Sequence, residues 1–318
     1  MKSDVIPTFA QGEALIELAQ ALQHAGYHFV TVSPASHQRV VARAEKTWAH
    51  SLRDIFGWSR PLREQEWNAE WLARIRAAGM LVEHDGGWRS AVRFSSLGEA
   101  LYVHSAYPTE AADSVFFGPD TYRYVRAIEA HLAQSAAPVL RAVDIGCGAG
   151  PGAISIARRR PDAEVYALDI NTAALRATEI NALVNHTPNV VVRESNLLSA
   201  VTGQFDLIVA NPPYLNDPGE RTYRHGGGEL GADVSLAILE AALPRLAPNG
   251  TLLLYTGVAI VDGADALSAH ARQILEGKEF RWRYEEVDPD IFGEELETQA
   301  YAKAERIAAV VLAVTRMS

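Results

Sequence analysis

The segment VDIGCGAGPGAISIA at residues 143–157 decides the fold class, because it joins an apolar strand to a helix through a glycine-rich turn. Gly146, Gly148 and Gly150 occupy the turn, where glycine permits a positive φ and lets a ligand approach the backbone. The helix that follows presents unpaired N–H groups at its N-terminus, which favour a nucleotide-like ligand. The segment therefore predicts a ligand-binding turn after the first strand of an α/β sheet.

Further apolar segments alternate with amphipathic stretches after residue 137. The six candidate strands are VLRAVDI (139–145), AEVYALDI (163–170), NVVVRES (189–195), FDLIVAN (205–211), GTLLLYTG (250–257) and RIAAVVLAVTR (306–316). Such alternation implies parallel βαβ units in a doubly wound sheet. We predict an α/β fold with a doubly wound, mostly parallel sheet and with ligands bound outside the carboxyl ends of the strands.

Length and composition indicate a second, smaller unit. The 318 residues exceed one typical domain, and 48% hydrophobic with 21% charged residues is ordinary for a globular protein. Five of the six tryptophans precede residue 100, which suggests two separately built cores. We predict an N-terminal domain at residues 1–115, for substrate recognition or as a lid, and a catalytic domain at residues 116–318.

The N-terminal unit is expected to be α+β. GEALIELAQALQHAGY (12–27) predicts an amphipathic helix that stops at Gly26, and residues 67–95 predict a helix followed by one hairpin with its turn at Asp85-Gly86-Gly87. Helices followed by such a hairpin outline a winged helix. DNA binding is one interpretation, but the region is slightly acidic and has no basic helix face, which favours a docking or lid domain.

Charge, cysteine content and the first residues restrict the compartment and the partners. MKSDVIPTF at residues 1–9 lacks an apolar signal core and no run of 18 apolar residues occurs, so we predict a cytoplasmic protein with no membrane association. The single cysteine, Cys147, excludes a disulfide framework and a cysteine-based zinc site; we predict no metal and interpret Cys147 as a small loop residue. The net charge is −10, of which −8 belongs to residues 116–318, so nucleic acid is a less favoured partner.

Two acidic residues at strand ends indicate the cofactor class. Asp169 ends the second strand, where a carboxylate accepts both hydroxyl hydrogens of a ribose; the alternative is a helix N-cap before Asn171. The frame Gly148-x-Gly150-x-x-Ala153 loosely matches a dinucleotide fingerprint. Asp144, however, would face a pyrophosphate unfavourably, whereas it suits the cationic α-amino group of S-adenosylmethionine.

The tetrapeptide Asn211-Pro212-Pro213-Tyr214 follows the fourth strand and carries the predicted chemistry. The residue before a proline is pushed toward extended geometry, so the segment forms a rigid ledge. The Asn211 side-chain oxygen and the Pro212 carbonyl can accept the two hydrogens of a substrate NH₂ group and leave its lone pair aimed at a methyl sulfonium. Tyr214 would stack on the planar group that carries the nitrogen. The alternative is a stiff turn that only ends the strand.

These motifs together resemble the class I S-adenosylmethionine-dependent methyltransferases. The first strand carries D-x-G-x-G-x-G, the second ends in an acid, and the NPPY tetrapeptide is similar to that of methyltransferases acting on planar amino groups. That group includes adenine amino methyltransferases and the glutamine amide methyltransferases of release factors and of a ribosomal large-subunit protein. TYRHGGGELGADVSLAILEAAL (222–243) adds similarity to the glutamine amide and small-domain group. The resemblance covers about residues 116–257 and implies an α/β, Rossmann-like methyltransferase sheet of seven mostly parallel strands.

The resemblance implies S-adenosylmethionine as the cofactor and a set of site residues. VFFGPDTYRYV (115–125) is similar to the segment that closes over the methionine end of the cofactor, with Asp120 nearby, and Asn196 stands where the family commonly has an aspartate that meets the adenine amino group. The implied cofactor-binding residues are Asp144, Gly146, Gly148, Gly150, Asp169, Ile170, Asn196, Leu197, Asn211, Pro119 and Thr121. The implied catalytic residues are Asn211, Pro212 and Tyr214.

The identity of the acceptor stays open at this stage. Residues 1–115 do not match the small helical domain with which the glutamine group recognises its protein substrate. A protein glutamine or a small metabolite is favoured, an adenine or guanine amino group of RNA or DNA is the first alternative, and a non-catalytic cofactor-binding regulator is the second. Oligomeric state is not predictable from the sequence.

Two charged segments carry weaker predictions about the acceptor. Arg221, Arg224 and His225 could meet a substrate carboxylate or be ordinary loop charges. Seven acids could meet a cationic substrate or form a solvated face; they are Glu285, Glu286, Asp288, Asp290, Glu294, Glu295 and Glu297.

Overall fold

The computed structural model describes residues 12–43, 47–135, 137–217, 221, 223–228 and 230–318. Residues 1–9, on which the leader prediction rests, lie outside this range, as do Thr222 and Glu229 of the segment 222–243. Within the described part of the chain, no helix is long and apolar enough to cross a membrane.

Within its described residues, the N-terminal part contains four α-helices and two hairpins. The helices are α1 (Gly12–His24), α2 (Pro34–Val41), α3 (Leu52–Phe56) and α4 (Ala69–Ala77), and the strands are β1 (Leu81–His84), β2 (Gly87–Ser90), β3 (Val92–Leu97) and β4 (Ala100–Ser105). Helix α1 buries Leu15, Leu18 and Leu22 and is followed by Gly26 at φ +69°, as the sequence predicted.

The sequence predicted one hairpin here, and the structure has two. Asp85 and Gly86 both have positive φ between β1 and β2, which matches the right-handed twist of a tight hairpin. The second hairpin, β3–β4, turns at Gly98. It escaped prediction because the predicted hairpin ran on to residue 95 and so merged β2 with the start of β3, and because β4 is buried on both faces and shows no alternation of apolar and polar residues. The winged-helix interpretation stays a prediction.

The second part is the predicted Rossmann-like sheet with helices on its faces. Its helices are α5 (Pro119–Gln134), α6 (Pro151–Arg159), α7 (Thr172–Val184), α8 (Asp233–Ala242) and α9 (Ala266–Leu275). Its strands are β5 (Arg141–Ile145), β6 (Glu164–Asp169), β7 (Val190–Glu194), β8 (Phe205–Ala210), β9 (Leu246–Val261), β10 (Ala264–Asp265), β11 (Phe280–Asp288) and β12 (Arg306–Arg316).

The strand order is β11-β12-β9-β8-β5-β6-β7, and the short β10 pairs with β9. Strands β7, β6, β5, β8 and β9 are parallel, whereas β12 runs antiparallel to both β9 and β11. All six predicted strands are present. The sequence missed β11, an edge strand whose exposed positions carry arginine and glutamate.

The order of the strands changes direction at β5. The chain adds β6 and β7 on one side of β5 and then β8 and β9 on the other side. Strand β5 pairs with β6 on one side and with β8 on the other. A crevice therefore opens at the carboxyl ends of these three strands, which is where ligands bind in sheets of this kind.

Helix α7 joins this sheet to the N-terminal part. Ala174, Ala177 and Ile180 of α7 belong to the same apolar cluster as α1, β3 and β4. Asn181 is fully buried; its side-chain Oδ1 accepts a hydrogen bond from Val103 N at 2.8 Å, and its Nδ2 donates to Val103 O at 3.0 Å. One turn later, Asn185 makes the equivalent pair of bonds with Leu101. The two amides thus complete the hydrogen bonding of β4 as a neighbouring strand would. The predicted boundary between residues 115 and 116 stays a prediction.

We expect Asn181→Leu to lower the free energy of unfolding by about 2–4 kcal/mol, since it leaves the buried N–H and C=O of Val103 without partners. Urea denaturation of the full chain measures this. The matched control is Glu179→Gln on the exposed face of the same helix, with an expected change within about 0.5 kcal/mol. Equal effects of the two substitutions would contradict the role given to Asn181.

Candidate functional site

A cavity of about 480 Å³ occupies the crevice at the carboxyl ends of β5, β6 and β8. Its wall includes ten of the predicted site residues: Thr121, Gly146, Gly148, Asp169, Ile170, Asn196, Leu197, Asn211, Pro212 and Tyr214. Pro119, Asp144 and Gly150 do not line it. The fold therefore brings the predicted residues of five separate segments to one place.

The glycine loop between β5 and α6 needs glycine for two reasons. Gly146, Gly148 and Gly150 have φ of +71°, +55° and +82°. A Cβ added at Gly146 or Gly148 would meet no atom within 4 Å, so their backbone conformation alone requires glycine. A Cβ at Gly150 would lie 2.8 Å from Cγ2 of Thr178. Gly150 therefore also allows α7 to pack closely behind the loop.

The carboxylate of Asp144 lies beneath the loop and does not line the cavity, and its predicted contact with a cofactor amino group stays a prediction. Oδ1 accepts a hydrogen bond from the Tyr124 hydroxyl at 2.7 Å, and Oδ2 accepts one from Ala153 N at 2.9 Å. Gly152 allows this arrangement, because a Cβ there would lie 2.6 Å from Oδ2. Burial raises the pKa of Asp144 to about 6, although both hydrogen bonds act in the opposite direction. The geometry makes Asp144 a support of the loop.

Asp169 lies on the cavity wall at the end of β6. Its two carboxylate oxygens accept backbone hydrogen bonds from Gly148 N and Asn171 N, both at 2.9 Å. Helix α7 is capped by Asn171, whose side chain accepts from Ala173 N, so Asp169 is not the N-cap. Burial raises the pKa of Asp169, and the hydrogen bonds from the backbone lower it. Each oxygen keeps acceptor capacity toward the cavity, and the ribose role stays a prediction.

The far wall beyond Asp169 combines an apolar and a polar surface. Ile170 is 58% exposed, which is unusual for a large apolar side chain and gives the cavity an apolar flank. Asn196 is exposed on the same wall, and Leu197 after it has φ +51°. A planar ligand with polar edges fits such a surface.

The ledge after β8 contains a buried acceptor without a partner. Oδ1 of Asn211 is inaccessible to solvent, and no described group donates a hydrogen bond to it. An unpaired buried polar atom costs free energy, and in native proteins it commonly marks a functional site. Asn211 and Pro212 both line the cavity, so a ligand N–H there can complete the bonding of this amide.

Tyr214 is held from two sides. Its ring packs against Gly257 of β9, where a Cβ would lie 2.3 Å from Cδ2 of the ring. The buried carboxylate of Asp120 accepts a hydrogen bond from the Tyr255 hydroxyl at 2.7 Å and lies close to the Tyr214 hydroxyl. Burial raises the pKa of Asp120, and the two tyrosine hydroxyls lower it. Tyr214 therefore presents one fixed ring face to the cavity.

Sequence reasoning missed three residues that hold the site, namely Tyr124, Tyr255 and Gly257. Gly257 had a usable signal, because an isolated glycine within an apolar strand marks a close approach of another group. The two tyrosines offered none, since each has an ordinary place in an amphipathic helix or a strand.

The arginines after the ledge are paired within the protein. Nε of Arg221 donates to Asp217 Oδ2 at 2.9 Å, and the Arg221 guanidinium lowers the pKa of Asp217 to about 2. Arg224 forms ion pairs with Asp217 and Glu295. Arg224 and His225 line the cavity, whereas Arg221 does not. These pairs give the arginines a structural role in the loop, and the predicted contact with a substrate carboxylate stays a prediction.

Four of the seven acids near the C-terminus also have basic partners. Glu295 pairs with Arg224, and the pairs Asp288–Arg123, Glu286–Arg306 and Glu285–Arg283 have N···O distances of 2.6, 2.9 and 2.9 Å. Asp290, Glu294 and Glu297 are exposed.

Cys147 is buried in the glycine loop, with its sulfur 3.5 Å from Oγ1 of Thr178. Burial raises the pKa of the thiol, which keeps it protonated and unsuited to nucleophilic attack. This agrees with its interpretation as a small loop residue.

Comparison with known proteins supports the class that the motifs indicated. Residues 127–261 match the family model described as methyltransferase small domain. The chain is 40% identical over 131 residues to the release factor glutamine methyltransferase of Xylella fastidiosa and 34% identical over 165 residues to that of Deinococcus radiodurans. A third, from Lactococcus lactis, is 30% identical over 190 residues. The resemblance to class I methyltransferases is thus confirmed.

These similarities cover only part of each protein. The aligned segments span 37%, 49% and 56% of this chain and 46%, 55% and 65% of the three relatives, in the same order. A crystal structure of the M. jannaschii tRNA m1G37 methyltransferase superposes with a TM-score of 0.50 at 15% identity, over 74% of this chain and 60% of that one. At that identity the likeness confirms the Rossmann-like methyltransferase fold alone.

We expect Gly257→Ala to lower the free energy of unfolding by about 1–3 kcal/mol, because the new methyl group overlaps the Tyr214 ring. In a double-mutant cycle measured by urea denaturation, Tyr214→Ala should remove most of this cost. Gly12→Ala is the control, since its Cβ would meet nothing closer than 3.8 Å. An unchanged cost of Gly257→Ala in the Tyr214→Ala background would show that the overlap is not its cause.

The raised pKa of Asp144 predicts a pH-dependent stability. The pKa of about 6 in the folded protein lies above the ordinary pKa of 3.8. Asp144 therefore contributes to the free energy of unfolding at low pH, where its carboxyl group is protonated. This contribution is lost as the pH rises through 6. Between acidic and mildly basic pH, the free energy of unfolding of the wild type should fall by roughly 3 kcal/mol more than that of Asp144→Asn. Urea titrations across that range test this, with the exposed Asp162→Asn as control. A difference that does not vary with pH would refute it.

Proposed function

We propose that this chain is an S-adenosylmethionine-dependent N-methyltransferase that acts on the side-chain amide of a protein glutamine. The observation that carries the proposal is the buried Asn211 Oδ1, which lacks a partner and lies on the cavity wall beside Pro212. The methyltransferase family match and the names of the relatives support the same class. Because the chain spans 46–65% of those relatives, the acceptor and the activity of the whole protein are part of the proposal.

The cavity residues fit the cofactor. The volume of the cavity, about 480 Å³, lies in the range that suits a nucleoside-sized ligand. Asp169 would accept the ribose hydroxyls, and Ile170, Asn196 and Leu197 would flank the adenine. The glycine loop and Thr121 would surround the methionine end, with Asp144 fixing the loop from below. When bound, the cofactor supplies a methyl group already activated by a sulfonium.

The ledge would orient the acceptor nitrogen. Asn211 Oδ1 and the Pro212 carbonyl accept the two amide hydrogens, so the nitrogen lone pair is directed away from the ledge and into the cavity. Tyr214 packs its fixed ring against the amide plane. Positioning is the main catalytic contribution here, because the electrophile is activated in advance. The methylated nitrogen releases a proton after attack, so no general base has to act before it.

A protein acceptor is favoured over the alternatives. The relatives in the comparison are named for glutamine methylation of release factors, and the acidic charge of residues 116–318 disfavours a polynucleotide. We further propose that residues 1–115 select the acceptor.

Asn211→Ala should lower methyl transfer to a purified bacterial release factor by about 10²–10³-fold, because it removes an acceptor that fixes the reacting nitrogen. Calorimetric affinity for S-adenosylmethionine should stay within a few fold. Asn196→Ala is the contrasting variant, with weaker cofactor binding and a smaller effect on transfer at saturating cofactor. Labelled cofactor and peptide mass spectrometry measure the transfer.

Three outcomes would contradict the proposal in different ways. Absence of S-adenosylmethionine binding by the wild type removes the cofactor assignment. Loss of cofactor affinity together with transfer in Asn211→Ala removes the role of the ledge. Label that enters RNA, DNA or small molecules of a fractionated extract, but no protein, removes the acceptor class.

A further inference from the structure

Part of the wall of the site cavity comes from the C-terminal region of the chain. Residues 289–305 link β11 to β12 and contain two short 3-10 turns, Gly293–Glu297 and Gln299–Tyr301. Phe292 of this segment lines the site cavity, as do Asn211 and Tyr214 of the ledge. The segment lies outside residues 127–261 that match the methyltransferase family. The family match therefore assigns no role to Phe292.

Phe292 has a backbone conformation that is unfavourable for a bulky side chain. Its φ is +52° and its ψ is +43°, in the left-handed region. A large residue adopts this conformation only where the surrounding structure enforces it, and such residues cluster at functional sites. Glycine, asparagine or aspartate would hold the same turn with less strain. A phenylalanine at this position therefore indicates a use for the aromatic ring itself.

The residues beside Phe292 hold it in this conformation. Ile291 is buried, and its backbone N–H donates to the Ile307 carbonyl of β12 at 2.7 Å. The backbone N–H of Glu295 donates to the Phe292 carbonyl at 2.8 Å, and the Glu295 side chain forms an ion pair with Arg224. Phe292 is thus anchored to the sheet on one side and to the loop after the ledge on the other.

The ring of Phe292 meets the ring of Tyr214 at the cavity. The two ring centres are 6.0 Å apart, and the ring planes are inclined at 65°. Tyr214 is buried, whereas Phe292 is only half-buried and keeps part of its surface open. Two rings inclined in this way form an apolar corner. A flat group that lies on the face of Tyr214 therefore meets Phe292 along its side.

From this arrangement we infer that Phe292 is a specificity-determining residue for the acceptor side chain. The inference rests on the proposed methyl transfer to a protein glutamine. The methylene groups of the glutamine pack on the Phe292 ring while its amide lies on Tyr214, with the nitrogen held by the ledge. Phe292 thus contributes to binding of the acceptor, and it contributes neither to binding of the cofactor nor to the methyl transfer itself.

The test compares Phe292→Gly with the wild type, both as the full chain. Glycine keeps the left-handed turn and removes the ring. We expect the KM for a purified bacterial release factor to rise by about 10-fold and kcat to stay within about 3-fold, because only a binding contact is lost. Calorimetric affinity for S-adenosylmethionine should not change. Phe292→Tyr keeps the ring and should retain the wild-type KM.

Asp262→Gly is the matched control. Asp262 has the same φ of +52°, but it lies in an exposed turn and does not line the cavity. This variant should keep the wild-type KM. An unchanged KM in Phe292→Gly overturns the inference, and so does a loss of cofactor affinity that matches the rise in KM.

A second variant covers the case in which Phe292→Gly does not fold. Phe292→Asn also accepts the left-handed conformation, and the same rise in KM is expected. The wild type alone decides the proposed function, which fails if label enters RNA or small molecules of an extract but no protein. The role of Phe292 is then decided on the acceptor that takes the label. Equal labelling of a limiting amount of that acceptor by the wild type and by Phe292→Gly overturns the inference.

Discussion

The side-chain amide of Asn181 is the contact on which the arrangement of the site depends. It bonds both backbone groups of Val103 in β4, and its Nδ2 also donates to the Ala149 carbonyl in the glycine loop at 2.9 Å. Thr178, one turn earlier, donates to the Gly148 carbonyl. Because these groups are buried, the bonds cannot be exchanged for water without a cost in free energy. Helix α7 thereby fixes the glycine loop and the N-terminal hairpin relative to each other.

Uncharged donors stabilise the acidic groups of the site. Asp144 accepts from a tyrosine and a backbone N–H, Asp169 accepts from two backbone N–H groups, and Asp120 accepts from Tyr255 as well as from Arg123. Most of the negative charge around the cavity is therefore not cancelled by a neighbouring cation. Such a field suits a ligand that carries a sulfonium and an ammonium group. Part of the acidic net charge of the chain therefore lies around the cavity.

The parts of the site that could be predicted from sequence are those set by local geometry. The glycine loop, Asp169 and the ledge each follow a strand, and the carboxyl ends of parallel strands meet at one edge of the sheet. The other features depend on contacts between distant segments. The side chain of Asp144 turns under the loop because Tyr124 of α5 approaches it. The glycine that admits the Tyr214 ring lies 43 residues later in the chain, and nothing local shows which ring it admits. Strand β11 alternates aromatic and charged residues, but only its pairing with β12 places it in the sheet.

The aromatic ring of Phe116 links the N-terminal part to the site. Phe116 lines the site cavity and also a small cavity whose wall includes Arg93. That ring is tightly placed, because a Cβ at Gly118 would lie 2.4 Å from it, and it stacks on Tyr223 with ring centres 5.8 Å apart. Tyr223 belongs to the loop after the ledge, and its hydroxyl donates to the Thr109 carbonyl. The contacts of Phe116 and Tyr223 therefore hold the loop after the ledge against the N-terminal part.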